Sequence, residues 1–180
     1  MNKAIFLDRD GTINYDYGYV FDASRLEILK NCSEAIAQLR GLDFKIVIIT
    51  NQSCIGRGMA TEDQVNDTNN RLKKLLLQKN ENAIVDAIEI CPDHPDRPTP
   101  RRKPNAGMLL ESKVKLNIDL ERSWIIGDKL SDANTGIAAG IPKQQCILVQ
   151  PNQIEKINKK NDFLMFNNLL QVSNHIKNNC

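Results

Sequence analysis

Two carboxylates spaced two residues apart, Asp8 and Asp10, stand near the start of the chain in the run Asp8–Thr12, which reads Asp-Arg-Asp-Gly-Thr. They follow four apolar residues, Ala4–Leu7, of the kind that form a buried parallel strand. One carboxylate of such a pair can attack a phosphoryl group, and the other can carry a proton to and from the leaving oxygen. Mg²⁺ prefers carboxylate, water and phosphate oxygens and would neutralise the crowded charge. The pair by itself is a weak signal, because most Asp-x-Asp sequences are turn residues or solvated acids.

Polar side chains also follow two later apolar runs. Lys45–Ile49 is followed by Thr50 and Asn51, and Ser123–Ile126 is followed by Asp128. In open α/β sheets ligands bind in the crevice outside the carboxyl ends of the strands, so these side chains are expected to meet there. Lys129 and Asp132 stand close behind Asp128, and a basic segment with Arg101, Arg102 and Lys103 comes between the second and third of these strand ends in the sequence.

Together these segments resemble the four motifs of the haloacid dehalogenase-like phosphatases, and the resemblance covers most of the chain. The likeness is closest to the histidinol-phosphate and heptose-bisphosphate phosphatase branch, and within it to the heptose-bisphosphate phosphatases. The matching segments are Phe6–Asn14, Thr50–Ser53, Ile55–Gly58, Arg102–Pro104 and Gly127–Lys129.

The resemblance implies a Mg²⁺-dependent phosphomonoesterase that acts through an aspartyl-phosphate. Its substrate would be a D-glycero-D-manno-heptose 1,7-bisphosphate that loses the 7-phosphate on the path to nucleotide-activated heptose for lipopolysaccharide or capsule. The alternative enzyme is a histidinol-phosphate phosphatase or another small sugar-phosphate phosphatase. A non-catalytic phospho-receiver module is a further alternative, but such a module has no need of an acid/base at Asp10.

The resemblance also implies roles for the acids. Asp8 would be the nucleophile and Asp10 the general acid/base. Asp8 and Asp128 would supply carboxylates to Mg²⁺, with the main-chain carbonyl of Asp10 as a further ligand. Lys129 and Asp132 would hold Asp128 and the neighbouring loops in place. The alternative for Asp128 is a cap for the following helix.

Five further residues are expected to contact substrate. Thr50 and Asn51 would hydrogen-bond the transferring phosphoryl oxygens, and Lys103 would balance the charge of the same oxygens. Arg57 and Arg102 are not needed for this shared chemistry, but a guanidinium fork suits a second phosphate or several sugar hydroxyls. In the heptose branch the residue before the motif lysine helps to recognise substrate, and Arg102 has that position. The alternative for each basic residue is a solvated loop side chain.

The loop before Lys103 departs from the family. Many members carry Cys-x-His and later Cys-x-Cys, which bind zinc, but here the two halves read Cys-Pro-Asp-His from Cys91 and Thr-Pro-Arg from Thr99. A structural zinc site needs four ligands. Only Cys91 clearly matches, and His94 is one place out of register, so we expect no zinc. Whether Asp93 or His94 helps to bind a metal stays open at this point.

Composition limits the other classes of function. The chain has 180 residues, suited to a single domain over residues 1–180, and a net charge of +2, too small to argue for nucleic acid or a membrane as partner. The four apolar residues before Asp8 are too few for a signal peptide. Five scattered cysteines, an odd number, fit reduced thiols in the cytoplasm. We therefore expect a cytoplasmic monomer whose partner is a small-molecule sugar phosphate.

Alternating apolar runs and helical patterns predict a doubly wound α/β fold, with a mainly parallel sheet in a three-layer α/β/α arrangement and no cap domain. The predicted strands are Ala4–Leu7, Lys45–Ile49, Ala87–Ile90, Ser123–Ile126, Cys146–Val149 and Phe163–Phe166. The predicted helices are Ser33–Leu39, Thr61–Gln78, Gly107–Lys115, Asp132–Ala139 and Leu169–Lys177. Without a cap, substrate specificity would come from the loops Tyr15–Ser24, Cys54–Ala60 and Cys91–Pro104. Residues Asn152 to Lys160 are expected to form an exposed connection.

Overall fold

The computed structural model describes residues 1–149 and 163–179, so the expected connection from Asn152 to Lys160 lies outside the described residues. Six parallel strands form one sheet. They are β1 Lys3–Leu7, β2 Phe44–Asn51, β3 Ala87–Cys91, β4 Trp124–Gly127, β5 Cys146–Val149 and β6 Leu164–Phe166. Their order across the sheet is β3-β2-β1-β4-β5-β6. The predicted fold class is confirmed.

Helices cover both faces of this sheet. They are α1 Cys32–Gly41, α2 Ser53–Gly56, α3 Glu62–Lys79, α4 Gly107–Leu116, α5 Leu130–Ala139 and α6 Leu169–Asn178. Short 3₁₀ helices span Ala23–Arg25, Leu120–Arg122 and Lys143–Gln145. The described part of the chain contains no helix long and apolar enough to cross a membrane.

Successive side chains along each strand point to opposite faces of the sheet, so the strands contribute to two apolar cores. Ile5 and Leu7 of β1 join the core formed with α1, α3 and α6, whereas Ala4 and Phe6 join the core formed with α4 and α5. All four side chains are fully buried, because both faces of the sheet are covered. This accounts for the unbroken apolar run in the sequence and for the three layers.

The ends of the helices follow local signals in most places. α3 begins with Thr61 as N-cap, and the predicted capping box with Gln64 is present. α5 begins at Leu130, two residues before the predicted start, and its N-cap is Lys129 and not Asp128. The short helix α2 was not predicted, since its four residues carry no amphipathic period.

The order of the strands decides where a ligand can bind. β1 lies between β2 and β4, and the strand order reverses at this point, which opens a crevice outside the carboxyl ends of β1 and β4. The main-chain N–H of Asp8 donates to Ile126 O at 2.9 Å and extends the β1–β4 pairing. The acids that follow the two strands are thereby brought to one crevice.

Candidate active site

Asp8 and Lys103 form a buried ion pair at the end of β1. Nζ of Lys103 lies 2.6 Å from Oδ1 of Asp8 and 2.6 Å from Oδ1 of Asp132, and it donates to the main-chain oxygen of Ile49 at 3.0 Å. Burial opposes the charge of Lys103, but Asp132 and Asp8 outweigh it and raise the pKa of the lysine. Lys103 therefore stays cationic and is held against the carboxylate of Asp8.

Three carboxylates converge beside this lysine. One oxygen each of Asp8, Asp128 and Asp132 lies within 4.8 Å of the others. Burial, with the nearby charge of Asp132, raises the pKa of Asp8, and burial with the charge of Asp8 raises the pKa of Asp128 to about 7. A divalent cation with a preference for oxygen would relieve this repulsion, so the donor set fits Mg²⁺.

Two glycines make this close approach possible. Gly11 has a φ of +85°, and a Cβ built on it would lie 2.5 Å from Oδ2 of Asp128. A Cβ on Gly127 would lie 2.2 Å from Oδ2 of Asp132. Any side chain at either position would therefore displace a carboxylate of the cluster.

Asp132 has a more direct role than the sequence predicted. It was expected to hold Asp128 and nearby loops. The structure places its Oδ1 against Lys103, while its Oδ2 accepts the main-chain N–H of Lys129 at 3.0 Å. Lys129 contacts Asp128 as expected, with 3.6 Å between Nζ and Oδ2, and it also reaches Asp16 at 3.4 Å.

Asn51 has a structural contact that the sequence analysis did not predict. Its Oδ1 accepts the main-chain N–H of Lys103 and its Nδ2 donates to the carbonyl of Lys103, both at 3.1 Å. The side chain thus holds the basic loop against the end of β2, and because it also lines the cleft with Asp8, its contact with a phosphoryl oxygen stays a prediction.

Asp10 is surrounded by donors that the sequence analysis did not single out. Its Oδ1 accepts from Nε of Arg9 at 3.1 Å and from Nδ2 of Asn14 at 2.8 Å. Its Oδ2 accepts from a terminal nitrogen of Arg9 at 3.0 Å and from Nε2 of Gln52 at 2.7 Å. Gln52 also donates to Oγ1 of Thr50 at 2.8 Å. A hydroxyl that accepts this bond keeps its own proton to donate, so Thr50 remains suited to a phosphoryl oxygen.

These groups line one cleft of about 360 Å³ at the carboxyl end of the sheet. The loop after β1 contributes Asp16 and Tyr19, and the basic loop contributes Arg102. Arg57 is exposed and does not line this cleft, so the structure does not bring it to the predicted substrate contact. The lining residues are Asp8, Asp10, Asp16, Gly18, Tyr19, Thr50, Asn51, Gln52, Ser53, Arg102, Lys103, Lys129, Ser131 and Asp132.

The loop Cys91–Pro104 is held by its own polar contacts. Oδ2 of Asp93 accepts the main-chain N–H of Thr99 at 2.6 Å, and a terminal nitrogen of Arg102 donates to the carbonyl of Asp93 at 3.0 Å. Burial raises the pKa of the Cys91 thiol to about 11, which disfavours the thiolate that zinc requires. The absence of zinc stays a prediction.

Arg101 anchors the same loop to the protein body, although the sequence analysis assigned it no function. Its guanidinium pairs with Glu111 of α4, lies 3.3 Å from Glu89 of β3 and donates to the carbonyl of Ile90 at 2.9 Å. Two carboxylates and one carbonyl around one guanidinium fix its position. Because Lys103 follows two residues later, this contact helps to aim the lysine.

Comparisons with known proteins place this site in context. A family model described as HAD-hydrolase-like matches residues 100–170. The D-glycero-beta-D-manno-heptose-1,7-bisphosphate 7-phosphatase of Yersinia pestis is 39% identical over 145 residues, covering 77% of this chain and 76% of its own. The D-glycero-alpha-D-manno-heptose-1,7-bisphosphate 7-phosphatase of Burkholderia mallei is 37% identical over 147 residues, which cover 78% of this chain and 77% of the relative.

A solved structure extends the similarity over the whole fold. The D,D-heptose 1,7-bisphosphate phosphatase of B. bronchiseptica, crystallised with magnesium and phosphate, superimposes with a TM-score of 0.87. It is 29% identical to this chain, and the match covers 99% of each.

Proposed function

Because the chain belongs to the haloacid dehalogenase-like phosphatases, in the family of the heptose-1,7-bisphosphate 7-phosphatases, we propose that it removes the 7-phosphate of D-glycero-D-manno-heptose 1,7-bisphosphate. The observation that carries this proposal is the meeting of Asp8, Asp10 and Lys103 in one cleft beside the cluster with Asp128. Relatives of this name match more than three quarters of the chain. The reaction would be a step towards nucleotide-activated heptose.

The chemistry starts at Asp8. Its carboxylate oxygen attacks phosphorus, the bond from phosphorus to the sugar oxygen breaks, and Asp10 gives its proton to that oxygen. Asp10 then takes a proton from water, whose oxygen attacks the aspartyl-phosphate, and the bond between phosphorus and Asp8 breaks. Lys103 and the hydroxyl of Thr50 stabilise the charge on the phosphoryl oxygens through both steps.

A metal ion fits the same site. Asp8 and Asp128 would hold Mg²⁺ with the main-chain carbonyl of Asp10, and the ion would supply charge neutralisation at the attacking carboxylate and the phosphoryl oxygens. Asp132 keeps Lys103 beside that position through its 2.6 Å ion pair. Lys103 and the metal ion would both offset the repulsion among the three carboxylates, because Asp8 must stay ionised to attack phosphorus.

The mouth of the cleft suits a substrate with a second phosphate. Arg102 and Lys129 both line the cleft, in addition to Lys103 at the reacting position. A guanidinium there can bind a phosphate that does not react, and Asp16 can accept hydrogen bonds from sugar hydroxyls. A small open cleft without a cap suits a soluble sugar phosphate.

We propose that the enzyme acts as a monomer in the cytoplasm, without nucleic acid or membrane as a partner. The four cysteines within the described residues are buried and unpaired, which fits a reducing compartment. Light scattering during size-exclusion chromatography would test the monomer, and a molar mass twice that of the chain would reject it.

Steady-state kinetics on a set of phosphates tests the substrate. The α- and β-heptose 1,7-bisphosphates, histidinol phosphate and fructose 1,6-bisphosphate would be compared, with ³¹P NMR to identify the phosphate released. We expect one heptose anomer to have the highest kcat/KM and to lose only its 7-phosphate. A higher kcat/KM for histidinol phosphate would reject the heptose substrate but would leave the proposed mechanism intact.

Asp8→Asn should abolish turnover of every ester, because an amide is a poor nucleophile, and retained turnover would reject the covalent mechanism.

A further inference from the structure

The side chain of Arg9, between the two acids of the motif, is completely buried and makes four hydrogen bonds. Two go to the two oxygens of Asp10, at 3.1 and 3.0 Å, as a fork. The others go to Oδ1 of Asn69 on α3 at 2.8 Å and to the main-chain oxygen of Val20 at 2.7 Å. One guanidinium thus joins the acid to a long helix and to the loop over the cleft.

A buried guanidinium needs an explanation. Taking an arginine out of water is costly, and a buried ion pair often adds little to stability compared with apolar residues of similar size. A fork on a carboxylate does, however, fix the plane and direction of that carboxylate. Asp10 keeps a side-chain exposure of 14%, so it faces the cleft while Arg9, at 0%, holds it from behind.

We propose that Arg9 is a positioning residue for proton transfer. It fixes the orientation of the Asp10 carboxylate towards the leaving oxygen, and it links that orientation to the loop that carries Asp16 and Tyr19. Val20 follows Tyr19 directly, so the hydrogen bond to its carbonyl ties the acid to the part of the loop that lines the cleft. A substrate that seats this loop correctly would meet an acid that is already aligned.

Asn69 supports the same arrangement from a distance. It is buried, lies 60 residues from Arg9 in sequence and accepts one hydrogen bond from the guanidinium. It is not among the residues that line the cleft. A change at Asn69 therefore loosens Arg9 without altering any group that touches substrate.

Leaving-group dependence separates positioning from general damage. An alkyl phosphate has a strongly basic leaving oxygen that needs a proton as it departs, whereas p-nitrophenyl phosphate has a weakly basic one that needs almost none. Arg9→Lys keeps the charge but loses the fork. We expect kcat/KM to fall about 100-fold for an alkyl phosphate and less than about 5-fold for p-nitrophenyl phosphate.

A second readout follows from the hydrolysis step. With p-nitrophenyl phosphate, the Arg9→Lys enzyme still forms the aspartyl-phosphate but activates water poorly. We therefore expect a burst of about one p-nitrophenolate per chain, followed by a slow steady state. Arg40→Lys is the matched control, because Arg40 pairs with Asp86 at the opposite end of the sheet and should leave the ratio between the two esters unchanged.

The result that would overturn the inference is an equal loss on both esters, or no loss on either. If Arg9→Lys does not fold, Asn69→Ala decides in its place, with a selective loss of about 5-fold on the alkyl ester as the expected result. An equal effect or none in Asn69→Ala would overturn the inference as well. The inference rests on the proposed mechanism, but simple esters test it, so a failure of the heptose substrate in the wild-type enzyme is a separate outcome.

Discussion

Lys103 and Asp132 lie in direct contact, with 2.6 Å between Nζ and Oδ1, although Lys103 belongs to the basic loop and Asp132 to the first turn of α5. Both side chains are almost completely buried. The second oxygen of Asp132 holds the start of α5 through the N–H of Lys129. One carboxylate therefore connects the basic loop to α5, the helix that follows Asp128.

Asp132→Asn tests this connection. An amide cannot pair with the lysine as a charge, so Lys103 should shift towards Asp8 and compete with the metal. We expect kcat to fall about 10- to 100-fold and the Mg²⁺ concentration for half activity to rise. The control is Asp119→Asn, which changes a cap far from the cleft. An unchanged metal requirement would contradict the role of Asp132.

Arg102→Ala tests recognition of the second phosphate. The guanidinium lines the cleft but does not contact Asp8, so it should meet a part of the substrate that does not react. We expect KM for the bisphosphate to rise about 10-fold or more, with little change for a simple monophosphate. Arg97→Ala, on the exposed part of the same loop, is the control. Equal effects on both substrates would instead give Arg102 a part in the chemistry.

The enzyme is expected to work without zinc. Cys91 is buried with a thiol pKa of about 11, and Asp93 is engaged with Thr99. Elemental analysis of protein prepared in excess Mg²⁺ should find no stoichiometric zinc, and a zinc-selective chelator should change neither activity nor Tm. Cys91→Ala should keep kcat, with a modest loss of Tm from the buried site. One zinc per chain, lost in Cys91→Ala, would disprove the expectation.

The metal-free protein should have a characteristic pH dependence. Burial and the charge of Asp8 raise the pKa of Asp128 to about 7 from the usual 3.8. Between these values the folded state binds more protons than the unfolded state, so the free energy of unfolding decreases as pH rises from about 4 to about 7. We expect Tm to fall over this window and Asp128→Asn to flatten the fall.

Mg²⁺ competes with protons for this site, so its effect on stability should increase with pH. Thermal unfolding at about pH 5 and about pH 8, with and without Mg²⁺, would measure this difference. A larger Mg²⁺ stabilisation at the lower pH would show that protonation of the acid cluster does not limit binding.

The fold and the positions of the acidic residues could both be predicted from the sequence, because both depend on the buried parallel strands. Strands buried on both faces appear as apolar runs, and polar residues that follow parallel strands share one edge of the sheet. Asp8 and Asp128 were located in this way. The start of α5 was missed by two residues, because Lys129 carries none of the usual N-cap chemistry.

The partners of these acids could not be predicted, because they depend on contacts between distant segments. Arg9 meets Asn69 only after α3 has packed beside the cleft. The two hydrogen bonds between the Asn51 amide and the main chain of Lys103 likewise depend on the path of the basic loop. Gln52 carried one usable signal: it stands two residues after Thr50, the spacing that puts side chains of an extended chain on one face.

The place of β1 in the sheet has a consequence for local stability. A strand paired on both sides and covered by two cores opens only when the whole domain opens, so its amides should exchange with deuterium most slowly. The loops that line the cleft lack this protection. Asp8, the proposed nucleophile, is therefore attached to the part of the molecule that should unfold last. The residues proposed to select a substrate lie on loops that can open without displacing Asp8.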